Sequence, residues 1–179
     1  MSQRVSPFSR LARLRRFQYF FADVPKAASI LEIGCGDMWL RGLLSPHHWT
    51  NYTGLDLQGP ADVVGDIRHW RDLGLREKSF DVIVAFEVIE HVDCFTDLHE
   101  LLKDNGMLFV TTPVPHMDWL CKLLEWCGIN QRRTSPHTRL VYLDRLDLFE
   151  PGELRRVMLI SQWAKLRKRK GCASRGPAA

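Results

Sequence analysis

Cys-x-x-Cys pairs are absent from this 179-residue sequence, and with them the ligand spacing typical of structural zinc sites. The five cysteines are odd in number and irregularly spaced, so they do not predict a disulfide framework. A reducing compartment fits this cysteine usage best, and we expect a cytoplasmic protein. The sequence also lacks an apolar run of about 18 residues, the length that a membrane-spanning helix needs, so no membrane span is expected.

Acidic residues are missing from residues 1–22, which carry five arginines. The apolar side chains of this segment recur at three- and four-residue spacing, at Leu11, Leu14, Phe17 and Phe21. Three of the arginines form a polar row, Arg10, Arg13 and Arg16. The pattern predicts an amphipathic helix that packs on the domain through its apolar residues. An organelle transit peptide or a contact with a membrane surface are the alternatives that the composition leaves open.

The middle of the chain contains a regular alternation of short β-rich runs with helical runs. Strands are predicted at residues 29–33, 51–56, 61–66, 80–86 and 106–112. Helical patterns occur at residues 39–44, 95–102, 116–127 and 151–163. This alternation predicts an α/β fold with a Rossmann-like, doubly wound, mostly parallel sheet and helices on both faces.

Glycines and acids cluster at the ends of the predicted strands. Gly34 and Gly36 follow the first strand, where glycine lets the backbone turn sharply and lets a ligand approach it closely. Asp56 ends the second strand, where a carboxylate can accept both hydroxyls of a ribose. Asp66 ends the third, where it can accept from an adenine amino group while Ile67 packs against the ring. Because ligands of such sheets lie outside the carboxyl ends of the strands, these residues predict a nucleotide-like cofactor.

The third glycine of a dinucleotide-binding loop is absent, because Gly36 is followed by Asp37 and Met38. The acid at Asp37 also opposes a pyrophosphate, which would approach the chain at this point. A cofactor without phosphates, carrying a sulfonium cation and an amino-acid end, suits the acidic loop better.

Four segments together resemble a known family. They are residues 31–37 (Leu-Glu-Ile-Gly-Cys-Gly-Asp), 54–56 (Gly-Leu-Asp), 65–67 (Gly-Asp-Ile) and 80–91 (Phe-Asp-Val-Ile-Val-Ala-Phe-Glu-Val-Ile-Glu-His). In order and spacing they resemble class I S-adenosylmethionine-dependent methyltransferases of the small-molecule type, types 11 and 23. The resemblance is specific for the cofactor and nearly silent on the substrate. One departure is Met38, where many members have a further glycine.

The resemblance implies S-adenosylmethionine as the cofactor and indicates its binding residues. The first strand and its glycine loop would line the methionine part, and the end of the second strand would hold the ribose hydroxyls. The end of the third strand would frame the adenine, and the end of the fourth would close over the cofactor. In that order the predicted residues are Glu32, Gly34, Cys35 and Gly36, then Asp56 and Leu57, then Asp66 and Ile67, and finally Phe86 and Glu87.

His91 follows the fourth strand on the side where the methyl group would point, and it is the predicted catalytic base. A base is needed only if the acceptor must lose a proton, because methyl transfer is an in-line displacement at an activated carbon. A histidine that only shapes the loop is the alternative. Glu87, Glu90 and His91 also resemble the metal motif of small-RNA 2′-O-methyltransferases, with His116 or His137 as a further ligand. Many methyltransferases carry the same residues without a metal, so no metal ligand is assigned.

The predicted domain organisation has three parts. Residues 1–27 form a basic helical segment, residues 28–163 form the methyltransferase domain, and residues 164–179 form a basic disordered tail. Within the domain, residues 28–115 are the cofactor half and residues 116–163 the acceptor and lid half.

The C-terminus departs from the fold of the family, whose sheet ends in a two-strand antiparallel hairpin. Residues 164–179 are basic and then rich in Gly, Ala, Ser and Pro, which does not predict a hairpin. The sheet is therefore expected to stop at five strands, with the strand at 106–112 as an exposed edge. A homodimer is one way to cover that edge.

The expected function is transfer of a methyl group to an oxygen or nitrogen of a small or lipid-like acceptor. Nucleic acid is not an expected partner, because aromatic residues are not interleaved with the basic charges of the tail. Two alternatives stay open at this point. One is a metal-assisted RNA 2′-O-methyltransferase, and the other is a truncated, non-catalytic cofactor-binding module.

Overall fold

The computed structural model describes residues 7–114, 142–157 and 161–170. Its helices are α1 (Pro7–Phe21), α2 (Trp39–Leu44) and α3 (Phe95–Leu101), with 3-10 turns at Ser45–His47 and Ile67–His69. Its strands are β1 (Ile30–Ile33), β2 (Tyr52–Asp56), β3 (Val63–Val64), β4 (Phe80–Phe86), β5 (Leu102–Pro113), β6 (Phe149–Val157) and β7 (Ser161–Lys168). In the described ranges, no helix is both long and apolar enough to cross a membrane.

All of these strands form one sheet in the order β3-β2-β1-β4-β5-β7-β6. The strands β1 to β5 run parallel to one another, while β7 lies antiparallel to both β5 and β6. The order reverses between β1 and β4, because β2 and β3 lie on one side of this point and β5 on the other. In open α/β sheets, ligands bind outside the carboxyl ends of the strands at such a reversal. The predicted Rossmann-like sheet is confirmed.

Each face of the sheet is covered by its own apolar cluster. One cluster contains Ile33 and Ile83 from the central strands together with Leu98 of α3. The other contains Val84 and Phe109, which lie under the aromatic side chains of α1. Burial on both faces explains why β1 and β4 are near-continuous apolar runs in the sequence rather than alternating ones.

The C-terminal hairpin that was expected to be missing is present. Residues 149–157 form β6 where a helix was predicted, and residues 161–168 form β7, so the sheet has seven strands and not five. Pro151 and Gly152 oppose a helix at this point, because proline lacks the backbone N–H and glycine is a weak helix former. The prediction of a five-strand sheet without this hairpin is therefore wrong.

Residues 164–168 belong to β7 and not to a disordered tail. Lys165 and Lys168 are buried, since the aliphatic part of a lysine can lie inside the protein while its ammonium group keeps a partner. Nζ of Lys168 donates to the carbonyl oxygen of Leu102 at 2.8 Å, and Nζ of Lys165 lies 3.4 Å from the carboxylate of Glu153. The basic composition of residues 164–168 therefore gave no indication of the strand that they form.

The strand β5 is not an exposed edge, because β7 pairs with it from Met107 and Arg167 to Pro113 and Ser161. In the described part of the chain, β3 and β6 are the edge strands. A homodimer was expected in order to cover this edge, and that reason no longer applies. The homodimer itself stays a prediction. The helical pattern at 116–127 and the end of the tail at 171–179 lie outside the described residues.

Helix α1 packs on the sheet, but not through the whole predicted apolar row. Phe17 and Phe21 face the domain, whereas Leu11 and Leu14 are 48% and 44% exposed. Two arginines of the polar row turn inwards instead, toward acids at the carboxyl edge of the sheet. The helix is rotated in this way because its aromatic residues bury more apolar area than its leucines.

Candidate cofactor and active site

The glycine loop between β1 and α2 requires glycine at two positions. Gly34 has a φ of +67° and Gly36 a φ of +52°, a conformation that residues with a side chain rarely adopt. A Cβ at Gly34 would lie 2.5 Å from Cγ2 of Val88, in the loop after β4. At Gly36 a Cβ would meet no heavy atom within 4 Å, so the backbone there borders open space. The loops after β1 and β4 are thus in contact, and we call the open space beside Gly36 the cleft.

Met38 occupies a third left-handed position, with a φ of +57°, where many members of the resembled family have glycine. Its sulfur lies over Gly54 of β2, where an added Cβ would come within 2.6 Å of it. The sulfur also lies 3.9 Å from the hydroxyl oxygen of Tyr52. The methionine therefore fills the space beneath the loop, at a backbone cost on the order of 1 kcal/mol.

Asp56 ends β2 and reaches across to the glycine loop. Its Oδ2 accepts the backbone N–H of Gly36 at 2.8 Å, and its Oδ1 accepts that of Gln58 at 3.4 Å. Leu57 beside it is 69% exposed. A carboxylate has about four lone-pair sites, so this one can still accept hydroxyl groups in the cleft.

Glu32 lies in β1 beneath the glycine loop and is almost fully buried. The hydroxyl of Tyr52 donates to its Oε2 in a short hydrogen bond. Burial raises the pKa of Glu32 to about 8, the Tyr52 hydrogen bond opposes the rise, and the charge of Asp37 adds to it. Cys35 is buried as well. Both side chains are thus buried beneath the glycine loop and support it, and Glu32 is hydrogen-bonded there to Tyr52.

Asp66 is engaged by Arg68. Its carboxylate accepts the backbone N–H of Arg68 at 3.0 Å and two guanidinium N–H groups at 3.1 and 2.5 Å. The side-chain hydrogen bond from Arg68 lowers the pKa of Asp66. Ile67, predicted to pack on the adenine ring, is buried in the core of the sheet. Both residues therefore have structural partners that the sequence did not reveal.

Glu87 follows β4 and is held by two neighbouring elements. Its Oε1 accepts from Nη2 of Arg16 at 2.6 Å and from Oγ1 of Thr111 at 2.9 Å. Its backbone N–H donates to the carbonyl oxygen of Thr111 at 2.8 Å, and its φ of +58° is unusual for a residue with a side chain. Phe86 is buried beneath, with its ring centre 5.8 Å from the guanidinium carbon of Arg16. Backbone strain that several partners maintain is typical of functional sites.

Helix α1 contacts both sides of the cleft through two arginines. We call the side formed by β1 and the glycine loop the β1 wall, and the side formed by the end of β4 the β4 wall. Nη1 of Arg13 donates to Oδ2 of Asp37 at 3.0 Å beside the glycine loop, while Arg16 binds Glu87 beside β4. Both arginines belong to the polar row predicted for this helix, and their contacts with the acids were not predicted from the sequence. The sequence did contain a signal for these contacts. The helix has arginines and no acid, while acids gather at the predicted strand ends, and opposite charges favour contact.

Glu90 and His91 lie in different environments. Glu90 is buried and its Oε2 accepts from Oγ1 of Thr112 at 3.2 Å. Burial, and then the charge of Glu87, raises the pKa of Glu90 to about 8. His91 is exposed, and its backbone N–H donates to the carbonyl oxygen of Val88 at 2.9 Å. The adjacent residues therefore offer one buried carboxyl group and one accessible imidazole.

Within the ranges that the structure describes, no three His, Cys, Asp or Glu side chains form a group that could hold a metal ion. His116 and His137, considered as further ligands, lie outside those ranges. Most of the predicted acceptor and lid half, residues 115–141, also lies outside them.

The sequence as a whole matches the profile of a protein family. The match covers residues 7–163, and the family is described as a methyltransferase domain. The chain belongs to this family. In the methyltransferase, the matched region includes α1, the glycine loop and the strands up to the start of β7. No curated protein sequence matches the chain.

Solved structures share the fold of this methyltransferase at low sequence identity. A protein from Pyrococcus horikoshii has a TM-score of 0.63 and 15% identity, covering 90% of this chain and 92% of its own. An S-adenosylmethionine-dependent methyltransferase from Mesorhizobium loti has a TM-score of 0.55 and 17% identity, covering 86% and 97%. Another from Aquifex aeolicus has a TM-score of 0.56 and 14% identity, covering 92% and 94%.

The methyltransferase uses S-adenosylmethionine, so the predicted enzyme class and cofactor are confirmed. The geometry fits this cofactor. Open backbone at Gly36 allows close approach, and Asp56 offers a carboxylate to the ribose. Asp37 and Glu87 also lie at this edge, each paired with an arginine of α1.

Proposed function

We propose that this methyltransferase transfers the methyl group to an oxygen or nitrogen of a small or lipid-like acceptor. The observation that carries the proposal is the packing of Val88 on Gly34, which brings the loop after β4 against the glycine loop. The ionisable groups of that loop, Glu87 and His91, therefore border the cofactor cleft. An acceptor hydroxyl or amine loses a proton when it is methylated, and a group in this position can receive it.

Three residues of the cleft hold the cofactor in this proposal. The backbone at Gly36 lies against it, Asp56 accepts the ribose hydroxyls, and Leu57 offers an exposed apolar side chain to the adenine. For Asp66 to accept the adenine amino group, Arg68 must release one of its hydrogen bonds. Glu32 and Cys35 act indirectly, by supporting the loop.

His91 is the proposed base. When bound, S-adenosylmethionine supplies a methyl group that its positively charged sulfur activates. The protein positions the acceptor, and the exposed imidazole of His91 receives its proton. Glu87 is less suited, because Arg16 and Thr111 already donate hydrogen bonds to its Oε1.

The structure favours a metal-independent reaction over a metal-assisted RNA 2′-O-methyltransferase. A divalent ion bound by Glu87 would have to displace Arg16, whose Nη2 lies 2.6 Å from Oε1. Glu90 is buried and bonded to Thr112. Turnover that persists in a chelator supports the proposal, whereas turnover lost with the chelator and in Glu90→Ala supports the metal-assisted alternative.

Calorimetric titration of the full chain with S-adenosylhomocysteine tests the cofactor site. Asp56→Ala is expected to weaken binding about tenfold or more, because charge-assisted hydrogen bonds to the ribose are lost. Asp72→Ala, at an exposed aspartate outside the cleft, is the matched control. Equal affinities for the two variants would reject the ribose assignment.

A transfer assay with labelled S-adenosylmethionine and a panel of hydroxyl, amine and RNA acceptors tests the acceptor class. On the acceptor found, His91→Ala is expected to lower kcat about 100-fold at neutral pH while leaving the affinity for S-adenosylhomocysteine unchanged. His48→Asn is the control for an exposed histidine outside the cleft. Transfer to RNA alone would contradict the proposal.

A further inference from the structure

The outward side of α1 carries two exposed leucines between two exposed arginines. Leu11 and Leu14 are the exposed apolar residues, and Arg10 and Arg15 are exposed beside them. With about 100° between successive residues, the order around the helix is Arg10, Leu14, Leu11 and Arg15, over roughly 140°. The apolar pair is therefore flanked by a positive charge on each side. We call these four residues the outer face.

Among the residues that the structure describes, no acid forms an ion pair with the arginines of the outer face. The ion pairs that α1 makes with the described residues use Arg13 and Arg16 on its inner side. Residues 1–22 contain no acid that could pair with the outer arginines.

We propose that the outer face docks on an anionic lipid surface. Leucine side chains can enter the boundary between headgroups and acyl chains, and arginines beside them can bind the phosphates. An anionic lipid surface would account for both features of the outer face, the exposed leucines and the arginines that pair with no described acid.

Two other occupants fit the face less well. A second copy of this chain, packed symmetrically through the same residues, would bring arginines of like charge together at a buried contact. A nucleic acid would account for the arginines but not for the exposed leucines, and the outer face offers no aromatic side chain on which a base could stack.

Docking in this orientation would bring the cofactor cleft close to the lipid surface. The inner side of the same helix binds both walls of the cleft, through Asp37 and Glu87. The outer face and the cleft are therefore separated by the width of one helix. The proposal concerns the surface alone and holds whatever atom the enzyme methylates.

Co-sedimentation of the full chain with two kinds of vesicle tests the proposal. One kind is phosphatidylcholine alone, and the other contains phosphatidylglycerol as well. The chain is expected to bind the anionic vesicles and to dissociate as salt is added. Leu11→Ser with Leu14→Ser, and separately Arg10→Gln with Arg15→Gln, should each weaken partitioning about tenfold or more.

The matched control combines Leu154→Ser with Arg156→Gln in β6. Both residues are exposed, and they pair with Ala164 and Gln162 on the sheet face away from α1. This variant should bind vesicles as the parent chain does. Circular dichroism and calorimetry with S-adenosylhomocysteine check that each variant is folded, so failure of the cofactor site is measured separately from failure of docking.

Several results would overturn the proposal. One is equal binding to neutral and anionic vesicles, and another is unchanged binding by both outer-face variants. A concentration-dependent dimer that the leucine substitutions abolish, without vesicle binding, would assign the face to a second copy. Binding to polyuridylate without vesicle binding would assign it to nucleic acid.

Discussion

The two walls of the cofactor cleft share one plan but differ in how firmly they hold α1. Each wall combines a buried acid, whose pKa is raised to about 8, with an edge acid that pairs with an arginine of α1. On the β1 wall the acids are Glu32 and Asp37, and on the β4 wall they are Glu90 and Glu87.

The edge pairs differ in exposure and in additional partners. The side chains of Arg13 and Asp37 are 26% and 55% exposed, and those of Arg16 and Glu87 are 20% and 35% exposed. Glu87 also accepts from Thr111. Exposed ion pairs contribute little to stability, while partly buried pairs with further hydrogen bonds contribute more. We infer that α1 is anchored mainly on the β4 wall and separates more readily from the β1 wall.

The largest effect is expected from Arg16→Met. This change leaves Glu87 without its positive partner beside the carboxyl group of Glu90, and it should lower the free energy of unfolding by about 2 kcal/mol. Urea unfolding measures the loss. Arg15→Met, on the outer face of the same helix, is the control and should change stability by less than about 0.5 kcal/mol. Similar losses in both variants would show that the effect does not come from the ion pair with Glu87.

The buried acids should make stability depend on pH. Their pKa is raised from 4.5 to about 8, so the stability that protonation provides is complete below 4.5 and is lost as the pH rises through 8. Glu32→Gln and Glu90→Gln should each flatten this decline, with a gain of about 1–2 kcal/mol over the parent chain near pH 9.

Urea unfolding across the pH range measures this decline, with Glu77→Gln as the control at an exposed acid. A parent chain equally stable at pH 6 and pH 9 would contradict the assignment of either acid as buried and protonated. A decline that only one substitution removes would show that the two walls differ in their buried acids as well.

A smaller effect is expected from Thr111→Val. The hydroxyl of Thr111 donates to the charged carboxylate of Glu87, so its removal should cost about 1 kcal/mol. Thr111→Ser keeps the donor and should restore most of the loss. If valine and serine cost the same, the effect comes from packing in β5 and not from the hydrogen bond.

The smallest effect is expected from Arg13→Met on the β1 wall. Its ion pair with Asp37 is exposed to solvent, so the loss should be below about 0.5 kcal/mol and should vanish at high salt. The measurement is the midpoint of urea unfolding at low and high salt. A loss as large as that of Arg16→Met at both salt concentrations would contradict the order proposed for the two walls.

The sequence was most informative where a residue is constrained by its own backbone or by simple burial. Gly34 and Gly36 adopt left-handed angles that few other residues tolerate, and both could be recognised from the sequence. The apolar runs of β1 and β4 are buried on both faces, so their positions were predicted to within a residue. These features made it possible to predict the central strands of the sheet and the edge at which the cofactor binds.

The sequence was least informative where the role of a charge depends on a distant partner. Arg16 meets Glu87 across 71 residues, and Lys168 meets the carbonyl of Leu102 across 66. The energy of a charged group depends on its burial and its partners, which only the tertiary fold supplies. The ion pair of Asp66 is a local exception, because its partner Arg68 lies only two residues further along the chain.

Met38 and Gly54 have a consequence for how this loop can vary. The thioether of Met38 occupies the space that a side chain at position 54 would need. The two positions should therefore be epistatic, because alanine at position 54 forces the thioether to move while methionine is present, whereas with glycine at position 38 its tightest remaining contact is Sγ of Cys35 at 3.1 Å. Neutral drift at either position depends on the other, so the tolerance of the cofactor loop to mutation is partly set by a residue in the neighbouring strand.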